Sequence, residues 1–283
     1  MNKPFLKWAG NKYRVLPHLI PHIGYPKRYC EPFGGSLSVA LNTVADQYIL
    51  NDVNKDLVSI YQNLVNPNDD SFIRYCEELF TSENNTKKSY LDLRTHFNQA
   101  TNTTERARLF VYLNRHCFNG LCRYGPNGFN VPFGRYAKTV APAAEIRAFA
   151  EKMKGVKIAG PNSFETLMAK AGQDTLVYCD PPYYPLTSTS NFTQYSSKAG
   201  FDDKMQKDLA REAAECASRG AVVLISNHDV PECRKDYAAA AKRAGVQVKL
   251  DHTFRVSRFI SAKGSGRGNK AGELIAAFYS ESA

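Results

Sequence analysis

The chain of 283 residues carries 37 Lys plus Arg against 27 Asp plus Glu, a net charge of +10, with 43% hydrophobic and 12% aromatic residues. A chain of that size and composition can bury the core of one large or two ordinary domains, which excludes disorder as its main state. Apolar runs such as Ala221 to Ile225 are far short of a membrane span, and the start MNKPFLKWAG lacks the apolar stretch of a signal peptide, so the cytosol is the expected location and no membrane partner is expected.

The opening reads as a loop, followed by a strand at Arg28 to Phe33, a Gly34-Gly35-Ser36 turn, a helix at Leu37 to Asn42 and a strand at Tyr48 to Asp52. From Asp56 the pattern turns helical. Leu57, Ile60, Tyr61 and Leu64 share one face, and Asn66-Pro67 stops that helix. Asp70-Ser71 is placed to cap a second helix, a third runs from Lys88 to Asn98, and a fourth starts at Thr104, whose hydroxyl can cap it. Cys122 to Val131 reads as a hairpin of two short arms around Asn127-Gly128.

From about Ala150 strands and helices alternate: strand Val156 to Ala159, helix Phe164 to Ala171, strand Thr175 to Cys179, helix Asp202 to Ser218, strand Ala221 to Ser226, helix Val230 to Ala244, and strands near Val246 and Leu274. Alternation of this kind specifies an α/β fold, a mostly parallel, doubly wound sheet with helices on both faces. A helical and hairpin insertion then interrupts one such domain, giving residues 1–55 plus 150–283 and an inserted 56–149.

The charge is uneven. No acid precedes Glu31, none lies between Glu105 and Glu145, and none between Asp251 and Glu273; these stretches hold 17 basic residues, leaving 20 basic against 27 acidic elsewhere, a net of −7. Clustered positive charge gains most against a polyanion, whose counterions it releases. Seven cysteines, an odd number with no CxxC pair, and six dispersed histidines give no zinc spacing and no disulfide framework, so no metal is expected.

Two motifs carry chemistry. Glu31-Pro32-Phe33-Gly34-Gly35-Ser36 closes the first strand, and Asp52 ends the second about 20 residues on. A glycine turn lets backbone approach a ligand, and a carboxylate at the second strand tip can accept both hydroxyls of an adenosine ribose. Without G-x-G-x-x-G, an adenosine lacking phosphates is favoured over a dinucleotide. Asp180-Pro181-Pro182-Tyr183 follows the apolar strand Leu176-Val177-Tyr178-Cys179, at a carboxyl strand end where such sheets bind ligands. A purine amine is a poor nucleophile because its lone pair is delocalised. Carboxylate and Pro181 carbonyl acceptors on its hydrogens would pull it toward tetrahedral geometry, with Tyr183 stacked on the ring.

Phe5-Leu6-Lys7-Trp8-Ala9-Gly10-Asn11-Lys12, Glu31-Pro32-Phe33, Asn51-Asp52-Val53-Asn54, Asn119-Gly120-Leu121-Cys122-Arg123-Tyr124, Asn130 to Tyr136 and Asp180 to Tyr183 together resemble, in order and nearly end to end, the Dam-type DNA adenine methyltransferases (D12 class, alpha group) of bacteria and phages. The resemblance implies a Rossmann-like methyltransferase fold, S-adenosylmethionine as donor, and N6-methyladenine in duplex DNA as product, usually in GATC, by base flipping and direct in-line transfer. It implies a cytoplasmic monomer of a bacterial or phage-infected cell, with no obligate protein partner and no metal.

By position, Trp8, Lys12, Glu31, Phe33, Gly35, Asp52, Phe164 and Asp180 would bind the donor, and Asp180, Pro181, Pro182 and Tyr183 would act on the target amine. The insertion would be the target-recognition domain. There Arg123 would read a guanine edge, Leu121 and Pro132 would touch bases, Phe118, Asn119 and Tyr136 would stand near the flipped base, and Lys7, Arg135 and Lys138 would touch DNA. Taken alone, Arg123 could equally hold a phosphate, and most of the aromatics from Phe118 to Tyr136 read as core.

Asn11 and Leu37 stand where the family often has Gly, Phe118 lacks the usual Tyr hydroxyl, and the Gly125 to Gly128 tip is one residue short. The Ser- and Thr-rich segment from Pro185 to Gly200 reads as a mobile loop, Arg255 to Gly272 as a flexible basic strap, and Ser226 to Asp229 as a helix cap. The rivals are an RNA or protein-glutamine methyltransferase, which the basic segments and the hairpin disfavour, and a catalytically silent DNA-binding protein, which the intact tetrapeptide disfavours.

Overall fold

A computed structural model describes residues 1–65, 70–185, 201–257 and 270–281, with the backbone alone at 252–257 and 270–271. In chain order it contains helix α1 (Leu16–Ile23), strand β1 (Arg28–Glu31), strand β2 (Gln47–Leu50) and helices α2 (Lys55–Leu64), α3 (Ser71–Glu77), α4 (Lys87–Gln99) and α5 (Thr103–His116). The short strands β3 (Tyr124–Gly125) and β4 (Gly128–Phe129) follow, then α6 (Ala143–Lys152), β5 (Lys157–Ile158), α7 (Phe164–Met168) and β6 (Thr175–Cys179). Helix α8 (Asp203–Ser218), β7 (Val222–His228), α9 (Pro231–Ala244), β8 (Gln247–Ser257) and β9 (Lys270–Tyr279) complete it. The fold is mixed α/β with mostly parallel strands in its central sheet, as the alternation predicts.

Two compact units divide the chain. One comprises Met1–Gly24, Gly34–Val44 and Tyr48–Pro161; the other Tyr25–Phe33, Ala45–Gln47 and Asn162–Ala283. In the second, β1, β6 and β7 run parallel side by side, Tyr29 facing Leu176 and Val177 facing Val223. Strand β6 is buried at all five positions, the expected state of a parallel strand covered on both faces, which is why its sequence is a continuous apolar run rather than an alternation. Strand β9 joins β7 antiparallel, with β8 beyond it. Asp202 caps α8 by accepting the Met205 N–H, and Gly245, in the left-handed region, ends α9.

The first unit is mostly helical. Asn54 caps α2 and Asn102 caps α5, each through its side-chain oxygen. Phe5, Tyr61 and Phe149 pack ring against ring at 5.2 to 6.2 Å, and β2 pairs parallel with β5. The hairpin lies on a helical floor. Asn98 grips both the N–H and the carbonyl of Phe129, at 2.8 and 3.0 Å, and the Phe129 ring meets Phe97 and Phe110 edge to face. A buried Asp56 carboxylate receives Arg106 Nε at 2.6 Å and the Tyr124 hydroxyl.

Several expectations are corrected. The amino-terminal segment is not all loop: Leu16–Ile23 is helical, Pro17 lying in the first turn where no amide partner is needed. Leu37 to Asn42 is not an α-helix; Leu37 takes φ +52° and only Ala40–Asn42 forms a 3-10 turn. Asp70 makes no side-chain cap, and the α5 cap is Asn102, while the Thr104 hydroxyl bonds Asn63 instead. A further helix, Ala143–Lys152, precedes the point where the alternation was expected to resume. The hairpin turns at Pro126-Asn127, with Gly128 taking the positive φ of +94°.

Both ends of the expected basic strap are paired strand, with Arg255 opposite Gly272 and Ser257 opposite Lys270. Residues 258–269 of that strap, 186–200 of the expected loop, and the Asn66-Pro67 stop lie outside the described residues.

Candidate active site

In the second unit β6 delivers Asp180, half-buried, at its carboxyl end, followed by buried Pro181 and half-buried Pro182 and Tyr183. The two proline carbonyls are not equivalent. Pro182 accepts from Gln206 Nε2 at 2.8 Å, whereas Pro181 has no protein donor among the described residues. Tyr184 is pinned at three points: its N–H donates to Asn227 Oδ1 at 2.9 Å, its hydroxyl to Asp236 at 2.8 Å, and its carbonyl accepts from His228 Nδ1. A carbonyl can only accept, so Nδ1 carries the proton. The His228 ring also meets Tyr183 edge to face at 4.9 Å, which sets the Tyr183 ring plane.

Asn227 and His228, in the segment expected only as a cap, therefore brace this loop, both through Tyr184 and His228 also through Tyr183. The Asn227 partner lies 43 positions away, a separation that no local pattern reports.

Also in this unit, Glu31 is buried and accepts the Tyr29 hydroxyl at 2.9 Å. Burial, then the Glu31 charge, pushes the Tyr29 phenol well above its ordinary value, so it stays a neutral donor. Phe33 stacks on Phe164 at 5.3 Å with Phe201 at its edge, which makes an aromatic wall two residues beyond Glu31.

The first unit holds the other expected donor residues. Gly35 has φ +48°, and a Cβ there would lie 2.9 Å from Cδ1 and Nε1 of Trp8, so only glycine lets the indole lie on that turn. The Gly35 N–H donates to Asp52 Oδ2 and the Asn54 N–H to Asp52 Oδ1, both at 2.8 Å. Burial pushes the Asp52 carboxyl above its usual value, and these amides pull it back. The carboxylate thus holds two fixed donors and keeps lone pairs for others. Lys12 is buried with Nζ donating to the Gly10 carbonyl at 2.8 Å. Asn11 stays out of the left-handed region, which Gly10 occupies instead; Leu37 does enter it.

On the hairpin Arg123 is exposed, with Nε on Asn130 Oδ1 at 2.7 Å and one NH2 hydrogen on the Asn130 carbonyl at 3.2 Å. That leaves the outer edge of the guanidinium, NH1 and the second NH2 hydrogen, facing away from the protein contact. Pro132, Arg135 and Lys138 are exposed and Leu121 half-buried. Phe118 is half exposed, whereas Phe129 is core. The Asn119 N–H donates to the Tyr136 hydroxyl at 3.0 Å, and Asn119 and Arg135 both take positive φ.

The count of basic residues overstates the free charge. Arg106 is bound to Asp56, Arg108 lies over the Tyr75 ring and beside Glu78 and Glu105, and Arg115 donates to the Phe5 carbonyl. All three lie on α5, whose charged rows face other helices. Lys7 sits 4.1 Å above the Tyr136 ring with Nζ on the Arg115 carbonyl, and burial lowers its pKa.

Among the described residues no three His, Cys, Asp or Glu side chains gather as a metal set, and no helix is long and apolar enough to cross a membrane.

The chain as a whole is similar to known proteins. The model of the D12 class of N6 adenine-specific DNA methyltransferases matches residues 8–249. The chain is 44% identical over 280 residues to the DNA adenine methylase of Escherichia coli K12, covering 98% of this chain and 95% of that protein. Against the DNA adenine methylase of Vibrio cholerae it is 41% identical, covering 98% and 96%, and against that of Serratia marcescens 43%, covering 98% of each. Since the match runs through every motif from Trp8 onward and spans nearly the whole of these relatives, the chain belongs to the D12 class of adenine-specific DNA methyltransferases.

Proposed function

We propose that this methyltransferase takes its methyl group from S-adenosylmethionine and places it on N6 of the adenine of GATC in duplex DNA, after turning that base out of the helix. The observation that carries the chemistry is the unequal state of the two proline carbonyls. With Pro182 taken by Gln206, the acceptors at the end of β6 are the Asp180 carboxylate and the Pro181 carbonyl, one for each N6 hydrogen. Accepting both hydrogens withdraws the lone pair from the purine ring and directs it at an electrophile. Tyr183, its plane set by His228, offers the stacking face that orients the base. The Asp180 carboxylate is then the acceptor for the proton that N6 must lose.

The residues fit the donor. The side-chain-free Gly35 turn seats the Trp8 indole against its backbone, and Asp52 keeps acceptors for two ribose hydroxyls. We assign Trp8, Lys12, Gly35 and Asp52, together with Glu31, Phe33, Phe164 and Asp180, to donor binding. The buried Glu31 carboxylate suits a cationic amine, and the Phe33–Phe164 pair suits an adenine face. When bound, S-adenosylmethionine supplies a sulfonium-activated methyl group.

Residues 56–149 act as the target-recognition domain. The free edge of Arg123 matches guanine O6 and N7, a pairing worth roughly 1 to 3 kcal/mol of discrimination. Leu121 and Pro132 contact bases, and Phe118, Asn119 and Tyr136 border the flipped base. Arg135 and Lys138 hold phosphates, and Lys7 keeps ammonium donors for one more. Extruding the base costs a few kcal/mol, which binding in the pocket offsets.

The test is incubation with labelled donor and three substrates: a GATC duplex, the same duplex with one pair of the site exchanged, and RNA. Incorporation into the first alone is expected; equal labelling of the exchanged duplex would remove the GATC reading, and labelling of RNA alone the duplex reading.

A further inference from the structure

Asn227 is fully buried at the end of β7, and its side chain fills its hydrogen-bonding capacity. Oδ1 accepts from the backbone N–H of Tyr184 at 2.9 Å and of His228 at 2.8 Å. Nδ2 donates to the Tyr237 hydroxyl at 3.0 Å and to Gln206 Oε1 at 3.3 Å. Two backbone N–H groups can only donate, so they fix which end of the Asn227 amide is oxygen. That end fixes the next. With Nδ2 facing Gln206, Oε1 of Gln206 must be the acceptor, and its Nε2 is left to donate to the Pro182 carbonyl. Gln206 is itself buried on the first turns of α8, so the amide has no water to turn toward.

We propose that Gln206 and Asn227 are positioning residues for methyl transfer, a two-amide relay that removes the Pro182 carbonyl as an acceptor and so makes the Pro181 carbonyl the backbone acceptor for the target amine. The inference rests on the catalytic reading of Asp180 to Tyr183. Neither residue touches the substrate. They act on the loop: Asn227 holds its far end through Tyr184, and Gln206 holds its middle through Pro182, so the rotation of the intervening peptides is set from both sides. Reacting groups held to within tenths of an ångström are worth large factors in rate, and a misplacement of about 1 Å costs up to roughly a hundredfold.

Two variants of the full-length chain test this. Gln206→Met keeps the volume and loses both hydrogen bonds. Its kcat on a GATC duplex is expected to fall by about ten- to a hundredfold. Donor affinity, followed by fluorescence of the single tryptophan Trp8, and base opening, followed with 2-aminopurine at the target position, should stay within about twofold, so the loss falls on kcat and not on binding. Gln206→Glu keeps the Asn227 acceptor but sets an oxygen against the Pro182 carbonyl. Its kcat should be low at alkaline pH and recover on acidification, when the protonated carboxyl donates in place of the amide, a recovery the unaltered enzyme does not show.

Turnover of Gln206→Met within twofold of the unaltered enzyme, a parallel fall in donor and DNA affinity, or no recovery of Gln206→Glu in acid would each overturn the proposal. Asp180→Ala separates the two levels. If it keeps normal turnover the catalytic reading itself fails; if it is inactive while Gln206→Met is normal, only the positioning role fails.

Discussion

Gly35 donates its backbone N–H to Oδ2 of Asp52 at 2.8 Å, so the glycine turn and the acid proposed to hold the donor ribose are one hydrogen-bonded piece. A side chain at Gly35 would meet the Trp8 indole and would force a non-glycine residue to φ +48°, a conformation that costs roughly 1 to 2 kcal/mol. Gly35→Ala is therefore expected to weaken S-adenosylmethionine about tenfold or more, measured by titration of Trp8 fluorescence. Unchanged affinity would detach this turn from the donor.

Asp180→Ala should abolish methylation while duplex binding, measured by anisotropy, changes little. Removal of one of two acceptors leaves the amine lone pair in the purine ring but leaves the hairpin and its cations untouched. Near-normal turnover would exclude the carboxylate from the chemistry.

The exposed hairpin cations divide into two kinds. Arg123→Ala should relax discrimination at one base pair by about 1 to 3 kcal/mol, scored on duplexes with each pair of the site exchanged. Arg135→Ala and Lys138→Ala should each weaken all duplexes alike and reduce the slope of log affinity against log salt by about 1. A uniform loss in Arg123→Ala would make it a phosphate contact.

His116 gives a pH dependence of stability. It is buried beneath Tyr112 and Phe80, Nδ1 donates to the Tyr112 carbonyl at 2.9 Å, and burial lowers its pKa from 6.5 to about 4. The unfolded chain binds a proton from about pH 6.5 downward and the folded chain only near 4. The stabilising contribution is thus whole above 6.5 and is lost as pH falls through that window, by about 2 kcal/mol at pH 5. Urea unfolding at pH 7.5 and 5 should show this loss, and His116→Gln should reduce it. An equal loss in the variant would place its origin elsewhere.

What could be read from the residues depended on how far each signal reaches. The buried run of β6 and the long amphipathic α8 are local patterns, and both lie within one residue of their expected bounds. Helix α1 was hidden by Pro17 and Pro21, and α6 by a boundary set too late, although Ile146, Phe149 and Met153 already show the helical spacing. Leu37 broke its expected helix because a backbone angle, not a side-chain pattern, decides that turn. The Asp-Pro-Pro-Tyr loop was legible as a motif. Its support from Gln206, Asn227 and His228 was not, since each reaches it across 24 to 44 positions of sequence. The charge count misled in part for the same reason: Arg106, Arg108 and Arg115 read as free cations until the helices packed against them are placed.

The proposed mark, N6-methyladenine within GATC, can be read from DNA itself. Expression in a host free of adenine methylation, followed by single-molecule sequencing and nucleoside analysis of its DNA, tests it most directly. N6-methyladenine at GATC on both strands is expected, and none when Asp180 is replaced by Ala. Methylated cytosine, adenine marks at sites unrelated to GATC, or unmarked DNA beside an active protein would contradict the proposal.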